Sequence, residues 1–266
     1  MNAPSAPLVA VRDVADARVL TLLRPEAKNA LSAELVTALR QELAAAAAAP
    51  QLRGLVLTGA GVDFCAGADL KALQQLATQS FDDNRADSRH LAALFAALHR
   101  HPLPIVAAVQ GHALAGGAGL ACVCDRVVAA DDAKFGFTEA RIGFVAAIVA
   151  RFLVDRAGPR AARDLLLTAR IVDAREALAL GLADELAPTA EVEARALAWL
   201  ASLRRCSRSS LALTKELLAE LPGRPLDGAL DWAADLNART RATDDCREGV
   251  ASILEKRKPR WWPTAP

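Results

Sequence analysis

Pro104–Gly111 reads PIVAAVQG, and His112–Gly119 continues it as HALAGGAG. Ile105–Val109 is an unbroken apolar run closed by Gln110 and Gly111. Such a run suits a strand covered on both faces, the usual condition of a parallel sheet. The small residues that follow read as a tight turn opening into a helix. Strand, turn and helix together are the repeating unit of a layered α/β protein.

Working outward, the same grammar recurs. Arg53–Gly59 (RGLVLTG) is a second buried strand, followed by the small-residue stretch Ala60–Leu70, and Arg126–Ala130 (RVVAA) is a third strand. Residues 8–11 and 18–23 read as two short strands around a polar turn, Arg12 to Ala17. Ser32 is placed as a helix N-cap with Glu34 in the first turn. Leu31, Leu35, Leu39 and Leu43 then form one apolar stripe, and Pro50 stops the helix. Within residues 71–101, the polar stretch Thr78–Arg89 is expected to be a surface loop or a mobile helix. Beyond about residue 158 the strand signal disappears. Residues 160–168, 173–181, 190–205, 209–221 and 226–256 are all helix-like, with breaks at Gly181, Pro188, Pro222 and Pro225. The expectation is an α/β core with parallel strands, followed by helices that serve as a lid or an oligomerisation layer.

Composition narrows the function. Thirty-two basic residues against 31 acidic ones leave a net charge of +1, so no global field attracts nucleic acid or an acidic membrane surface. Any anionic ligand must be held locally. No apolar run approaches the roughly 20 residues of a membrane span, and the start lacks the pattern of a signal peptide. Five cysteines, an odd number, do not make a disulfide framework. A reducing, cytoplasmic setting is the simplest reading. Cys122 and Cys124 are spaced C-x-C and the chain has only four histidines, so no metal site is expected. Tyrosine is absent, which removes Tyr as an acid or nucleophile.

Two strand-to-helix junctions hold the chemistry. One is Phe64-Cys65-Ala66-Gly67-Ala68-Asp69-Leu70-Lys71; the other is Gly111 to Gly119. Small side chains let a ligand approach the backbone, and helix N-termini present unpaired N–H groups with partial positive charge. Two such ends side by side could hold an oxyanion. The plain alternative is that the glycines only permit tight turns and close packing. The second segment is not G-x-G-x-x-G and has no acidic residue about 20 positions on at a strand end, which disfavours a dinucleotide fold.

The residues resemble one family in order along the chain. Phe64–Lys71 resembles the F-x-A-G-A-D-L/I-K segment of the enoyl-CoA hydratase/isomerase (crotonase) family. Arg24–Leu31 (RPEAKNAL) resembles its R-P-x-x-x-N-A-L, and Pro104–Gly117 its P-x-I-A-A-V-x-G-x-A-x-G-G-G. Cys124-Asp125-Arg126, Phe135–Gly143 (FGFTEARIG) and Ile253–Pro259 (ILEKRKP) match further segments, so the likeness spans roughly residues 8–262.

The resemblance implies an α/β fold, a crotonase-like spiral of ββα units over residues 1–200, with a C-terminal helical region over 201–266 for oligomerisation and lid. It implies an acyl-CoA substrate with no separate cofactor, a place in fatty-acid metabolism, and a homotrimer or dimer of trimers. Carried over by position, the N–H groups of Ala68 and Gly116 would bind the thioester oxygen. Ala66, mainly through its backbone, and Asp69, Leu70 and Lys71 would line the coenzyme A side. Glu139 aligns with the family's second catalytic glutamate, a carboxylate able to give or take a proton if burial raises its pKa. Alternatively it is a surface residue paired with Arg141 or Arg151.

The departures bear on the reaction. Two-glutamate hydratases carry their first glutamate where this chain has Gly119. One turn beyond Gly116, a side chain at 119 is expected to share its face and project toward the acyl group, so that glycine leaves that space open. The glycine-rich stretch that usually follows the second glutamate is here Gly143–Ala150, GFVAAIVA. The reading is an acyl-CoA hydratase, with a Δ3,Δ2-enoyl-CoA isomerase using Glu139 alone as the alternative and an idle CoA-binding protein as a third. Among the remaining candidates, Cys65 reads as a small buried residue and Asp69 as a helix cap. His112 is either a packing residue or a base. Lys256, Arg257, Lys258 and Arg260 are either phosphate contacts or a solvated helix end, and Trp261 and Trp262 close the chain's end.

Overall fold

The computed structural model describes residues 6–69, 74 and 78–262. β1 (Val9–Val14) and β2 (Ala17–Leu22) form a hairpin registered Val9 to Leu22 and Val14 to Ala17. The turn between them is tighter than expected, with Ala15 at φ +54°. β3 (Gly54–Gly59) and β4 (Ile105–Val109) continue the sheet in parallel. β5 (His112–Leu114), β6 (Arg126–Ala130), β7 (Lys134–Gly136), β8 (Ile171–Asp173) and β9 (Glu185–Ala187) complete the described strands. The large sheet runs β1-β2-β3-β4-β6-β9, and a small one runs β5-β7-β8.

The spiral follows from how the chain alternates between these sheets. β4 lies in the large sheet and β5 in the small one; β6 and β7 repeat the step. After β3 the chain makes the same move in reduced form, because Cys65 bridges in parallel to Ala113 of β5. Each circuit thus supplies a long buried strand, a short offset strand and a helix. Leu55, Val56 and Ile105–Val109 are at most 1% exposed, as their unbroken apolarity requires.

Among the described residues the chain forms helices α1 (Ala33–Ala48), α2 (Phe81–His99), α3 (Gly116–Val123), α4 (Ala147–Thr168), α5 (Ala174–Ala179), α6 (Val192–Ser202), α7 (Arg208–Glu220), α8 (Leu226–Arg241) and α9 (Asp244–Leu254). Ser32 caps α1 as expected, its hydroxyl accepting from the Leu35 N–H at 3.3 Å. The stripe Leu31, Leu35, Leu39 and Leu43 is buried.

Of the two readings of the polar stretch Thr78–Arg89, loop or helix, the structure takes the helix: most of it is the first half of α2, capped by Ser80, with Asp82 and Asp83 in the first turn. Its apolar pattern is weak because α2 buries only Leu94, Phe95 and Leu98, all in its second half. Three expectations are corrected. Strands do not end near residue 158. β8 and β9 are three residues each, too short for a periodic signal, yet β9 pairs with β6 and closes the large sheet. The helix-like pattern of 160–168 belongs to α4, which starts at Ala147 and is bent where Gly158 adopts φ +78°, ψ 165° before Pro159. Finally, 226–256 is two helices, because the Thr243 hydroxyl accepts from the Cys246 N–H and starts α9 afresh.

The C-terminal helices sit at the periphery. α7 buries no residue, α8 only Leu236 and α9 only Ser252. The indole N–H groups of Trp261 and Trp262 both donate to the Arg205 carbonyl at 3.1 Å, tying the chain's end to the region before α7. Arg257 is paired with Glu248 at 2.6 Å. No described helix is long and apolar enough to cross a membrane.

Candidate active site

The site begins at Arg24–Leu31. Lys28 and Asn29 are both left-handed, at φ +51° and +54°, which folds this segment back over the first junction. Asn29 is fully buried; its amide donates to the carbonyls of Ala60 (2.9 Å) and Asp63 (2.8 Å), and its Oδ1 accepts from the Arg24 N–H at 3.0 Å. The Arg24 guanidinium donates to the Ala30 carbonyl at 2.7 Å and to Asp69 Oδ2 at 2.9 Å. Asn29→Ala strands the buried Asp63 carbonyl, the half-buried Ala60 carbonyl and the Arg24 N–H. Denaturant unfolding should show a loss of about 2–4 kcal/mol, since each unsatisfied buried group costs about 1–3. Asn29→Asp keeps the acceptor but turns a carboxylate oxygen toward the Ala60 and Asp63 carbonyls, so it should lose at least as much.

The backbone at the first junction is set by its neighbours. The Leu31 N–H donates to the Gly67 carbonyl at 2.7 Å, and the Asp69 N–H to the Leu31 carbonyl at 3.3 Å. These bonds flank Ala68, so its own N–H points away from Leu31. The Ala66 N–H is taken by the Lys28 carbonyl at 2.9 Å, which leaves Ala66 its carbonyl to offer a ligand.

The second junction is laced to the first. The Cys65 N–H donates to the His112 carbonyl and the Leu114 N–H to the Cys65 carbonyl, both at 3.0 Å. Ala115 adopts φ +50°, ψ −123°, a costly conformation for a residue with a Cβ, and its N–H is held by the Gly136 carbonyl at 2.7 Å. That turn delivers Gly116 as the first residue of α3. The helix ladder starts only with the Gly119 N–H to the Ala115 carbonyl, so the Gly116 N–H lies ahead of it. The junctions touch at their glycines. A Cβ on Gly67 (φ +94°) would lie 3.2 Å from the Gly116 nitrogen, and one on Gly117 only 2.0 Å from the Cys65 carbonyl oxygen.

Glu139 opens a 3-10 turn, Glu139–Ile142, three residues after Gly136, the residue that holds Ala115. It is 9% exposed, and its Oε2 is buried with no hydrogen-bond partner. Burial pushes its pKa up, partly opposed by its own backbone N–H. The surface reading fails: Arg151 pairs with Asp155, Arg141 is exposed, and no described ion pair involves Glu139. A buried carboxyl with an idle oxygen is equipped to exchange a proton with something placed against it.

Gly119 corrects the expectation. It is buried, and the direction of its missing side chain is occupied: a Cβ there would lie 2.2 Å from Val149 Cγ1 and 3.2 Å from Phe95 Cε1. A Cβ on Gly116 would instead meet Leu31 and Gly67, so the two glycines look toward different neighbours. The glycine serves the close approach of α3 to α4, and its space is filled by Val149, on which sequence reasoning placed no role. The signal was present, since GFVAAIVA substitutes bulk for glycine while position 119 gives bulk up.

Asp69 is held by Arg24 and so orients the loop; the start of the helix it was expected to cap lies outside the described residues, as do Leu70 and Lys71. Cys65 is fully buried, and burial pushes its thiol up to about 12, which makes it inert at neutral pH. Cys122 and Cys124 are likewise buried and pushed up to about 12. Among the described residues no cluster of three or more His, Cys, Asp or Glu could hold a metal ion. His112 pairs with Asp63, a residue that sequence reasoning missed.

Known proteins resemble this chain over most of its length. Residues 15–263 match the family model described as Enoyl-CoA hydratase/isomerase. A Thermus thermophilus protein named "Putative enoyl-CoA hydratase" is 46% identical over 243 residues, covering 91% of this chain and 96% of that one. The "Crotonyl-CoA hydratase" of Syntrophomonas wolfei is 33% identical over 246 residues, covering 90% and 92%. The solved structure of Pseudomonas aeruginosa AtuE superposes with a TM-score of 0.90 at 37% identity, covering 96% of this chain and all (100%) of the other.

Proposed function

The chain belongs to the enoyl-CoA hydratase/isomerase family, and on that premise we propose that it is a hydratase adding water across the double bond of an enoyl-CoA. The observation that carries the reading is the buried Glu139 carboxyl, whose Oε2 lacks a partner. It stands one short connection from the turn that presents Gly116. In this reading the N–H groups of Ala68 and Gly116 accept the charge that develops on the thioester oxygen as an enolate forms. Preorganised donors of this kind are commonly worth ~10²–10³ in rate each. Glu139 supplies or removes the proton. Ala66 and Asp69 line the coenzyme A side, with Leu70 and Lys71. Coenzyme A is part of the substrate, so the reaction needs no cofactor.

One observation favours a second reading, a Δ3,Δ2-isomerase. Val149 and Phe95 fill the space beside Gly119, so a second carboxylate has no room there. A single carboxyl can move one proton between two carbons. Relatives named as hydratases weigh toward the first reading. The active unit proposed is a homotrimer or dimer of trimers in the cytoplasm. Exposed Leu218, Leu226, Leu230, Val250, Ile253 and Leu254 on α7–α9 provide apolar surface for a subunit contact.

Incubation with 2-enoyl-, 3-enoyl- and branched enoyl-CoAs, with products identified by mass, tests the proposal. Hydration adds the mass of one water; isomerisation leaves the mass unchanged and moves the double bond. Conversion of a 3-enoyl-CoA with no hydrated product would replace the first reading by the second. Binding with no conversion of any substrate would leave only a CoA-binding protein.

A further inference from the structure

Asp63 is a buried carboxylate that the proposed chemistry does not use. It is 5% exposed, and its Oδ1 accepts twice from one residue: from the His112 ring Nδ1 at 2.6 Å and from the His112 backbone N–H at 3.1 Å. Because an ionised carboxylate only accepts, Nδ1 carries the proton. The Asp63 carbonyl is itself held by Asn29. The approach is so close that a Cβ on Gly111 (φ +56°) would lie 2.0 Å from the Val62 carbonyl oxygen and 2.9 Å from Asp63 Oδ1.

The position of this pair gives it a task. Asp63 stands five residues before Ala68, and His112 four before Gly116. Around the pair, the junctions are also joined by backbone bonds from Phe64 to Gln110, Cys65 to His112 and Leu114 to Cys65. We propose that Asp63 and His112 are positioning residues, a side-chain buckle that fixes how the two junctions lie against each other and hence how the Ala68 and Gly116 N–H groups are aimed. The inference rests on the functional reading above for its kinetic consequence, and on geometry alone for its structural one. Without the buckle, the segments can pivot about the remaining backbone bonds. A displacement of about 1 Å at a reacting centre can cost on the order of 10² in rate.

The test uses His112→Ala and His112→Asn in the full chain. The asparagine amide can reach the place of Nδ1 and donate to Asp63. On whichever enoyl-CoA the wild type converts, His112→Ala should lower kcat by ~10–100-fold with KM within about twofold. His112→Asn should recover most of that loss. The proposal is overturned if His112→Ala keeps kcat within about twofold of wild type, if asparagine recovers no more than alanine, or if lost activity merely tracks lost folded protein by circular dichroism. Should His112→Ala not fold, Asp63→Ala takes its place, because it removes the oxygen that accepts from both His112 donors: a lower kcat at unchanged KM supports the buckle, and an unchanged kcat overturns it. If the wild type converts no enoyl-CoA, the functional reading fails by itself. The buckle is then judged by hydrogen exchange at the Cys65 and Leu114 amides, which should quicken in the variants while Leu57 in β3 does not; unchanged exchange overturns it.

Discussion

Glu139→Gln should lower turnover by ~10²–10⁴ while acyl-CoA binding, measured by calorimetry, changes little. Glutamine preserves the shape and the buried position but cannot take up or release the proton. The same substitution should make the protein more stable at neutral pH. The native carboxyl has a pKa raised by burial, so folding opposes its ionisation. That cost is present above the folded pKa, shrinks as pH falls through it, and vanishes below the ordinary carboxylate value. The melting temperature of Glu139→Gln should therefore exceed that of wild type at pH 8, with the gap closing toward pH 4. An inactive variant with no gain at pH 8 would mean that Glu139 is solvated. A variant with near-normal turnover would move the chemistry to another residue.

Gly119→Glu should yield no soluble folded protein. The first atom of the new side chain would lie 2.2 Å from Val149 Cγ1, and a carboxylate would follow it into the contact of α3 with α4 and Phe95. Alanine alone should cost about 1–3 kcal/mol, the usual range for overpacking a well-filled core. Val149→Ala combined with Gly119→Ala should recover part of that, because the two side chains compete for one volume. Equal melting temperatures for wild type and Gly119→Glu would show that α3 and α4 part easily and that the site can accept a second carboxylate. The gain in helix propensity from replacing glycine, at most about 1 kcal/mol, is too small to oppose the clash.

The contrast between these residues shows what the sequence could and could not reveal. The large sheet was legible because β3, β4 and β6 are unbroken apolar runs, and α1 because Ser32 and its leucine stripe agree. Glu139, Ala68 and Gly116 were legible as motif positions. Three things were hidden. β8 and β9 are too short to carry a period and exist because longer neighbours template them. The direction of Gly119 depends on how α3 meets α4, a contact between residues thirty positions apart, and no local spacing encodes it. Asp63 was hidden for the same reason, since its role exists only opposite His112.

Ala115 has a further consequence. Its left-handed turn sets its methyl group where a Cβ on Gly67 would come within 2.7 Å of it. Positions 67 and 115 therefore share one steric allowance, although nearly fifty residues separate them in the chain. Over evolutionary time they cannot drift independently. A lineage that exchanges Ala115 for glycine relieves the strained turn but does not free position 67, where a Cβ would still lie 2.8 Å from the Leu114 carbonyl oxygen on a backbone held at φ +94°. Change across this contact is therefore one-sided: 115 can shrink, while 67 stays glycine.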